Sequence, residues 1–274
     1  MDAEIDLEVR LLLEAIYDRY HYDFRAYAKA SLKRRLSQAC EKLGVASLSG
    51  LQERVLHEPE VFAGLLQYLT VQVSDMFRDP EFFRAIRTQV LPVLATYPSI
   101  KIWVAGCSSG EEAYSLAILL QEEGLLDRAI IYGTDINAQA LRAAANGVYS
   151  LARLRGFTEN HRRSGATTSL SDYYHASGDS AIMDAALRRK ITFSDHSLAT
   201  DNVFSEVHLV TCRNVIIYFD QDLQNRALRL FAEALISRGF LGLGSKESLR
   251  FSEAADLFTD FALTERLYRR KGLS

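Results

Sequence analysis

Short apolar runs alternate with stretches of helical periodicity over most of the chain beyond residue 100. Five of these runs have the character of strands: KIWVAG at 101–106, AIIYGTD at 129–135, KITFSD at 190–195, EVHLVTCRN at 206–214 and GFLGLG at 239–244. Helical patterns begin at Glu111 and at about Asn137, and a third runs from Asp220 to about Ser237. Strands that alternate with helices predict an α/β fold, in which helices cover both faces of a mostly parallel sheet.

Two further segments interrupt or close this alternation. FALTERLYRR at 261–270 has strand character with no later partner, which favours an antiparallel strand at the sheet edge. Residues 156–181 are rich in Gly, Ser and Thr and contain few apolar side chains. This segment is either a flexible loop or a small subdomain inserted into the sheet, and the sequence alone leaves both possibilities open.

The first part of the chain, from about residue 5 to residue 68, has helical periodicity throughout. One predicted helix, FRAYAKASLKRRLSQACEKL at 24–43, contains several basic residues and no acidic residue before Cys40. The basic residues are Arg25, Lys29, Lys33, Arg34 and Arg35. The first three recur at every fourth position, so we expect them to share one helix face. That face is either simply solvated or a docking surface for an acidic partner.

Charge and cysteine usage limit the classes of function. A formal net charge of −3 argues against a general nucleic-acid binder, which would be basic. Cys40, Cys107 and Cys212 are odd in number and far apart, so we expect neither a disulfide framework nor a metal site. The N-terminus is acidic and unlike a signal peptide, and no window holds the ~20 apolar residues of a membrane span. We therefore expect a cytoplasmic protein without direct membrane insertion.

The loop GCSSGEE at 106–112 lies between a predicted strand and a predicted helix. Such loops usually bind phosphate, but this one lacks a lysine and carries Glu111 and Glu112, which would repel phosphate. Either glutamate can instead serve only the helix dipole. Asp135, at the end of the next strand, can cap a helix or accept hydrogen bonds from the ribose hydroxyls of an adenosine. Together these residues favour a cationic nucleoside without phosphates, a description that S-adenosylmethionine meets.

CRNVIIYFD at 212–220 places Arg213 and Asn214 at the end of a buried strand, where a charge is costly unless it is paired. The chain also contains LTVQVSDMFRDPEFF, WVAGCSSGEEAYSLAILL, YGTDINAQALRAAANGVY, FSDHSL and GFLGLGSKESL. In these six ordered blocks it resembles the chemotaxis-receptor methyltransferase family, CheR, across nearly its whole length.

The resemblance implies a fold and a domain organisation. The expected fold is the S-adenosylmethionine-dependent methyltransferase fold, preceded by a helical N-terminal domain and carrying a small inserted β-subdomain. The expected domains are a helical domain at 1–72, an interdomain segment at 73–98 and a methyltransferase domain at 99–274, with the insertion at about 156–192.

The resemblance also implies methyl transfer from S-adenosylmethionine to glutamate side chains, with S-adenosylhomocysteine as the product. The expected partner is the acidic helical methylation region of a chemoreceptor, which the basic residues at 25–35 would attract. Arg78 and Tyr218 correspond to the catalytic positions. Cofactor binding is implied for Gln72, Ser74, Arg78, Gly106, Glu112, Asp135, Ser197, Leu198, Arg213 and Asn214.

Three of these positions depart from the family pattern. Gln72 and Ser74 stand where members commonly carry Asn and Thr. Gln72 keeps the amide at the end of a longer side chain, and Ser74 keeps the hydroxyl. Ser197, before Leu198, stands where Asn is common and loses an amide.

Two alternative functions stay open. One is a methyltransferase with a non-receptor substrate, although NVIIYF lacks the prolines typical of enzymes that methylate amino groups. The other is a cofactor-binding signalling module with little activity. A glutamate nucleophile, with an ordinary pKa near 4.3, is already ionised at neutral pH and needs no general base. We therefore expect Arg78 and Tyr218 mainly to orient the carboxylate.

Overall fold

The computed structural model describes residues 2–70, 72–250 and 252–272, with side chains described from residue 4 onward. The α-helices are α1 (Asp2–Tyr20), α2 (Lys29–Leu43), α3 (Leu48–His57), α4 (Pro59–Leu69), α5 (Pro80–Ala85), α6 (Leu91–Leu94), α7 (Glu111–Glu122), α8 (Ala138–Asn146), α9 (Leu151–Arg163), α10 (Ala185–Arg188) and α11 (Gln221–Ala234). None of the helices in the described parts of the chain combines the length and the apolar character that crossing a membrane requires.

The strands form two sheets. They are β1 (Ile100–Ala105), β2 (Ala129–Asp135), β3 (Val148–Ser150), β4 (Tyr174–Ser177), β5 (Ser180–Met183), β6 (Ile191–Asp195), β7 (Val207–Cys212), β8 (Leu235–Leu243), β9 (Phe258–Ala262) and β10 (Leu267–Arg270). The large sheet has the order β6-β2-β1-β7-β8-β10-β9. Its first five strands are parallel, whereas β10 is antiparallel to both of its neighbours. The α/β fold class with a mostly parallel sheet is confirmed.

Side chains of the central strand β1 pack alternately on the two faces of the large sheet. Ile102 and Val104 belong to the apolar core that includes α7, whereas Trp103 and Ala105 belong to the core that includes α11. This alternation follows from the two-residue repeat of a strand. Because both faces are covered, the strands read as nearly continuous apolar runs, which is why the sequence pattern identified them.

The predicted helix at 24–43 begins only at Lys29. The residues before it form a turn at 25–26 and an isolated bridge between Tyr27 and Phe219. They pair with the loop that follows β7: Ala28 N donates to Tyr218 O at 2.9 Å, and Asp220 N donates to Ala26 O at 2.9 Å. Arg25 therefore lies outside the helix and does not share a helix face with the lysines that follow it. The same two hydrogen bonds join the segment before α2 to the loop at the carboxyl end of β7.

Two other boundaries differ from the sequence pattern. The predicted helix from Asp220 to Ser237 ends at Ala234, because the buried Leu235 already pairs with Val207 in the large sheet. The closing segment 261–270 contributes two strands, the end of β9 and all of β10, which form an antiparallel pair at the sheet edge.

The predicted insertion contains regular structure. β3, β5 and β4 form a small antiparallel sheet, and α9 lies between its first and second strands along the chain. The small sheet begins at Val148, eight residues before the predicted start at 156, and residues 156–163 are helical. A strand of three residues is too short to show a recognisable pattern in the sequence. β3 is defined only by its pairing with residues 180–182. The domain boundaries themselves stay predictions.

Glu122, at the end of α7, anchors the inserted segment to the large sheet's core. Its buried carboxylate accepts hydrogen bonds from His161 Nε2 at 2.8 Å, from the Arg87 guanidinium and from the Thr168 hydroxyl. Burial raises the pKa of Glu122, but the hydrogen bonds from His161, Arg87 and Thr168 outweigh burial and lower it to about 2. The ionised carboxylate therefore stabilises the folded chain.

We expect Glu122→Gln to lower the free energy of unfolding by about 2–3 kcal/mol at pH 7. Because the folded pKa of about 2 lies below the ordinary value of 4.5, this stabilisation is complete above about pH 4.5 and is lost as the pH falls toward 2. Denaturant unfolding of both proteins at pH 7, 4 and 3 measures the change. A stability difference that stays constant over this range contradicts the assignment, and Glu159→Gln, an exposed residue, is the control.

Candidate functional site

A cavity of about 530 Å³ lies where the carboxyl ends of β1, β2, β6 and β7 meet the N-terminal helices. Every residue predicted for cofactor binding or catalysis lines it: Gln72, Ser74, Arg78, Gly106, Glu112, Asp135, Ser197, Leu198, Arg213, Asn214 and Tyr218. Of the predicted docking residues, Arg35 also lines this cavity. The structure thus brings together predicted residues from six separate segments of the sequence.

The loop after β1 needs glycine for a steric reason. Gly106 has a φ of +72°, and a Cβ atom at this position would lie 2.4 Å from Cγ2 of Val215. The backbone N–H groups of Gly106 and Cys107 both donate to Thr134 O, at 2.7 and 2.8 Å. The loop is therefore tied to β2 and packed against the loop that follows β7, with no room for a side chain between them.

The carboxylate of Asp135 is hydrogen-bonded to the same loop. Its Oδ2 accepts from Ser108 N at 2.9 Å and its Oδ1 accepts from Asn137 N at 2.9 Å. The cap of α8 is Asn137, whose side chain accepts from the N–H groups of Gln139 and Ala140, so Asp135 does not cap the helix. Burial raises the pKa of Asp135, and the backbone hydrogen bonds oppose this rise. Each carboxylate oxygen can accept a second hydrogen bond, which leaves capacity for a ligand.

The two adjacent glutamates at the start of α7 have different surroundings. Glu111 is fully buried, pairs with Arg153 Nη1 at 3.0 Å and accepts from the Ser109 hydroxyl at 2.9 Å. Glu112 lines the cavity, and its Oε2 accepts from Arg213 Nη1 at 3.0 Å. Its Oε1 is buried and has no hydrogen-bond partner among the described residues. Glu112 is thus the glutamate with an unused acceptor beside the cavity.

Arg213 is paired from several sides. Besides Glu112, its Nη2 donates to Asp79 Oδ2 at 2.7 Å and to the carbonyl oxygen of Arg78 at 2.9 Å. Its guanidinium carbon lies 4.1 Å from the ring centre of Phe82. These contacts offset the desolvation free energy of a buried charge at the end of β7, and the bond to Glu112 orients that side chain. Arg213 therefore contributes to the site through Glu112 as well as by lining the cavity.

Glu247, which the sequence patterns gave no role, organises the loop after β7. Its Oε1 accepts from the N–H groups of Val215 at 2.9 Å and Ile217 at 3.3 Å, and its Oε2 accepts from Asn214 at 3.0 Å and Gly244 at 2.6 Å. Burial raises the pKa of Glu247, and the four backbone donors oppose this rise. No local pattern could reveal this role, because three of the four donors come from a loop about thirty residues earlier.

The remaining cavity residues contribute polar atoms or shape. Gln72 Oε1 accepts from the Ser108 hydroxyl at 2.7 Å, which links the interdomain segment to the glycine loop. The Ser197 hydroxyl accepts from Ala199 N at 3.3 Å and so serves its own turn. Asp195, the last residue of β6, also lines the cavity and was not singled out from the sequence. Its pKa is raised by burial and by the neighbouring Asp201.

The predicted basic surface is divided by the fold. Arg25 pairs with Glu14 at 3.0 Å and with Asp23 at 2.9 Å, and Lys33 pairs with Asp6 at 2.6 Å. Lys29 and Arg34 are exposed. Arg35 is only 6% exposed and is therefore no part of an exposed basic surface.

The charges of the cavity favour a cationic ligand. Five acidic residues line it (Asp23, Glu112, Asp135, Asp195 and Asp201), against three arginines, one of which is neutralised by Glu112 and Asp79. In the part of the chain that the structure describes, no group of His, Cys, Asp or Glu is arranged to hold a metal ion.

Comparison with known proteins agrees with this geometry. Residues 72–266 match the family description "CheR methyltransferase, SAM binding domain", and residues 7–70 match "CheR methyltransferase, all-alpha domain". A Pseudomonas putida protein named as a methyltransferase, Cher3, is 56% identical over 98% of both chains. A chemotaxis protein methyltransferase of Vibrio parahaemolyticus is 32% identical over 80% of both chains, and one of Listeria monocytogenes is 28% identical over 83% of this chain and 84% of its own.

Proposed function

The chain belongs to the CheR methyltransferase family, and from this premise we propose that it methylates glutamate side chains of a chemoreceptor or related signalling protein. Family membership makes the protein an S-adenosylmethionine-dependent methyltransferase. The observation that carries the finer proposal is that the cavity joins acidic side chains, suited to a cationic cofactor, to Tyr218 and two arginines, Arg35 and Arg78, suited to an anionic substrate.

The residues present fit the cofactor. The unpartnered Oε1 of Glu112 would accept from the ammonium group, and the carboxylate of Asp135 would accept from the ribose hydroxyls. Gly106 contributes backbone atoms to the cavity wall, while Val215 fills the space that a side chain at this position would need. Gln72, Ser74, Ser197, Leu198 and Asn214 would complete the walls around the cofactor. When bound, the cofactor supplies an electrophilic methyl group on a positively charged sulfur.

The acceptor needs little activation. A glutamate carboxylate is ionised at neutral pH, so no residue of the cavity has to remove a proton. Attack on the methyl carbon joins an anion to a cation, and the charge on the reacting atoms decreases toward the transition state. Hydrogen-bond donors would stabilise the reactants at least as much as the transition state, and such binding does not raise turnover.

The chain's contribution is therefore alignment. Arg78 and Tyr218 line the same cavity as Arg213, and we assign them to hold the carboxylate in line with the methyl group. Alignment of this kind is worth about 7–11 kcal/mol at most. Among the described residues, the Arg78 side chain makes one hydrogen bond, a long one to Val73 O at 3.3 Å, so its guanidinium can turn toward a substrate.

The partner follows from the family and from charge. Relatives are named chemotaxis protein methyltransferases, and an acidic helical methylation region would be attracted by the exposed Lys29 and Arg34. We place the reaction in the cytoplasm, where the three cysteines, all free thiols, would stay reduced.

The decisive test identifies the bond that carries the methyl group. The purified protein is incubated with methyl-tritiated S-adenosylmethionine and bacterial membranes containing chemoreceptors, and the labelled protein is treated with alkali. We expect volatile labelled methanol, because carboxyl methyl esters hydrolyse in alkali. The Asp135→Asn variant, which lacks the ribose ligand, should give little label and serves as the control.

Alkali-stable label would move the acceptor to nitrogen and contradict the proposal. Binding of S-adenosylhomocysteine without any label on membranes would favour the second candidate, a signalling module with little activity.

A further inference from the structure

Arg35 is a buried cation in the wall that the N-terminal helices contribute to the cavity. It lies on α2, next to Tyr218 from the loop after β7. Its Nη1 donates to Leu69 O at 2.5 Å, and its Nη2 is buried without a hydrogen-bond partner among the described residues. The guanidinium carbon stacks 4.2 Å from the ring centre of Tyr218.

No carboxylate balances this charge within the described parts of the chain. Arg213, the other buried arginine of the cavity, pairs with both Glu112 and Asp79. Burial lowers the pKa of Arg35. Tyr218 and Tyr27 oppose this decrease, the neighbouring Arg34 adds to it, and none of these groups is a carboxylate. A guanidinium removed from water without a counterion is costly. The fold therefore keeps an uncompensated positive charge beside the tyrosine that the family assigns to catalysis.

The cavity is thus divided by charge. Glu112, Asp135 and Asp195 lie at the carboxyl ends of the strands, where the cationic cofactor would bind, and Arg35 enters from the N-terminal helices. We propose that Arg35 binds the carboxylate of the glutamate to be methylated and holds it against Tyr218. This inference rests on the proposed function and deepens it, since it makes Arg35 a substrate-binding residue that selects an anionic side chain.

Binding by charge has a consequence for selectivity. Glutamate, glutamine and the glutamate methyl ester have similar shapes, but only the first is an anion. A site that uses Arg35 will therefore prefer the reactant over its amide analogue and over the neutral product. Charge-assisted hydrogen bonds are strong enough to make this preference about tenfold.

The test compares two small probes, N-acetyl-glutamate N-methylamide and its glutamine counterpart. Each is titrated into the full chain saturated with S-adenosylhomocysteine, and the dissociation constants are measured by NMR. We expect the wild type to bind the glutamate probe about tenfold more tightly, and Arg35→Met to lose most of this preference, with Arg78 left as the remaining cation. Arg34→Met, which changes the exposed neighbour, should keep the preference. Arg35→Lys should retain part of it, because the charge remains.

Unchanged affinity for S-adenosylhomocysteine shows that the Arg35 variants are folded at the site, and Arg35→Lys provides the comparison if Arg35→Met does not fold. Equal binding of the two probes by the wild type, or a full preference in Arg35→Met, overturns the role of Arg35. Release of labelled methanol in the membrane assay would support the proposed function whatever the probes show. Failure of the role of Arg35 is therefore distinguishable from failure of the proposed function.

Discussion

Glu247→Gln will lower the free energy of unfolding by about 3–5 kcal/mol, the largest loss of stability that we expect from one polar substitution at the site. The two carboxylate oxygens accept four backbone N–H groups, those of Asn214, Val215, Ile217 and Gly244. Glutamine presents an NH₂ group in place of one oxygen, so two buried donors would face another donor. Each unsatisfied buried donor costs about 1–3 kcal/mol.

The same substitution will weaken cofactor binding, because the loop that Glu247 holds carries Asn214 and Tyr218. We expect a midpoint of thermal unfolding lower by roughly 10 °C and a dissociation constant for S-adenosylhomocysteine at least about tenfold higher. Calorimetry measures both quantities. Glu253→Gln, which changes an exposed glutamate paired with Arg229, should alter neither. A Glu247→Gln protein with wild-type unfolding behaviour would show that the loop does not depend on this carboxylate.

Glu112→Gln will raise the dissociation constant for S-adenosylhomocysteine about 10- to 100-fold. The substitution keeps the size of the side chain and removes the negative charge that would face the ammonium group. A charge-assisted hydrogen bond contributes about 1.5–3 kcal/mol, which corresponds to this range. Arg213 keeps its pairing with Asp79, so the variant should remain folded.

Two comparisons isolate the ammonium contact. 5′-Methylthioadenosine has the nucleoside but no ammonium group, so Glu112→Gln should bind it as well as the wild type does. Glu111→Gln should leave the affinity for S-adenosylhomocysteine within about threefold and instead reduce stability, because Glu111 is buried against Arg153. Equal weakening of both ligands by Glu112→Gln would assign this residue to loop structure rather than to the cofactor.

Several features of the site could be predicted because they depend on neighbours in the chain. A glycine loop between an apolar run and a helical pattern indicates a ligand-binding turn, and the missing lysine excludes the usual phosphate. Asp135 could be predicted as a site residue because it lies at the end of a predicted strand. Parallel strands present their carboxyl ends at one edge, so segments far apart in the sequence were expected to meet there, and all the predicted cofactor residues do line one cavity.

Other features depend on which face of an element meets which neighbour. Glu111 and Glu112 are equivalent in the sequence, yet one lies under Arg153 and the other beside the cavity. The basic run on α2 looked like one surface, but its last arginine turns into the protein and stacks on Tyr218. Neighbouring helical residues point about 100° apart, so a shift of one position separates the buried ion pair of Glu111 from the cavity-lining position of Glu112.

The sequence by itself determined the α/β fold class and a set of separate segments that meet at one cavity, because these follow from periodicity, turn chemistry and ordered family blocks. Only the tertiary structure decided that Glu247 holds the loop after β7, that Asn137 rather than Asp135 caps α8, and that Arg35 is a buried cation at the site with no carboxylate partner among the described residues. The physical reason is that hydrogen bonds and burial depend on partners far along the chain, 183 residues away in the case of Arg35 and Tyr218, and no local pattern records such a partner.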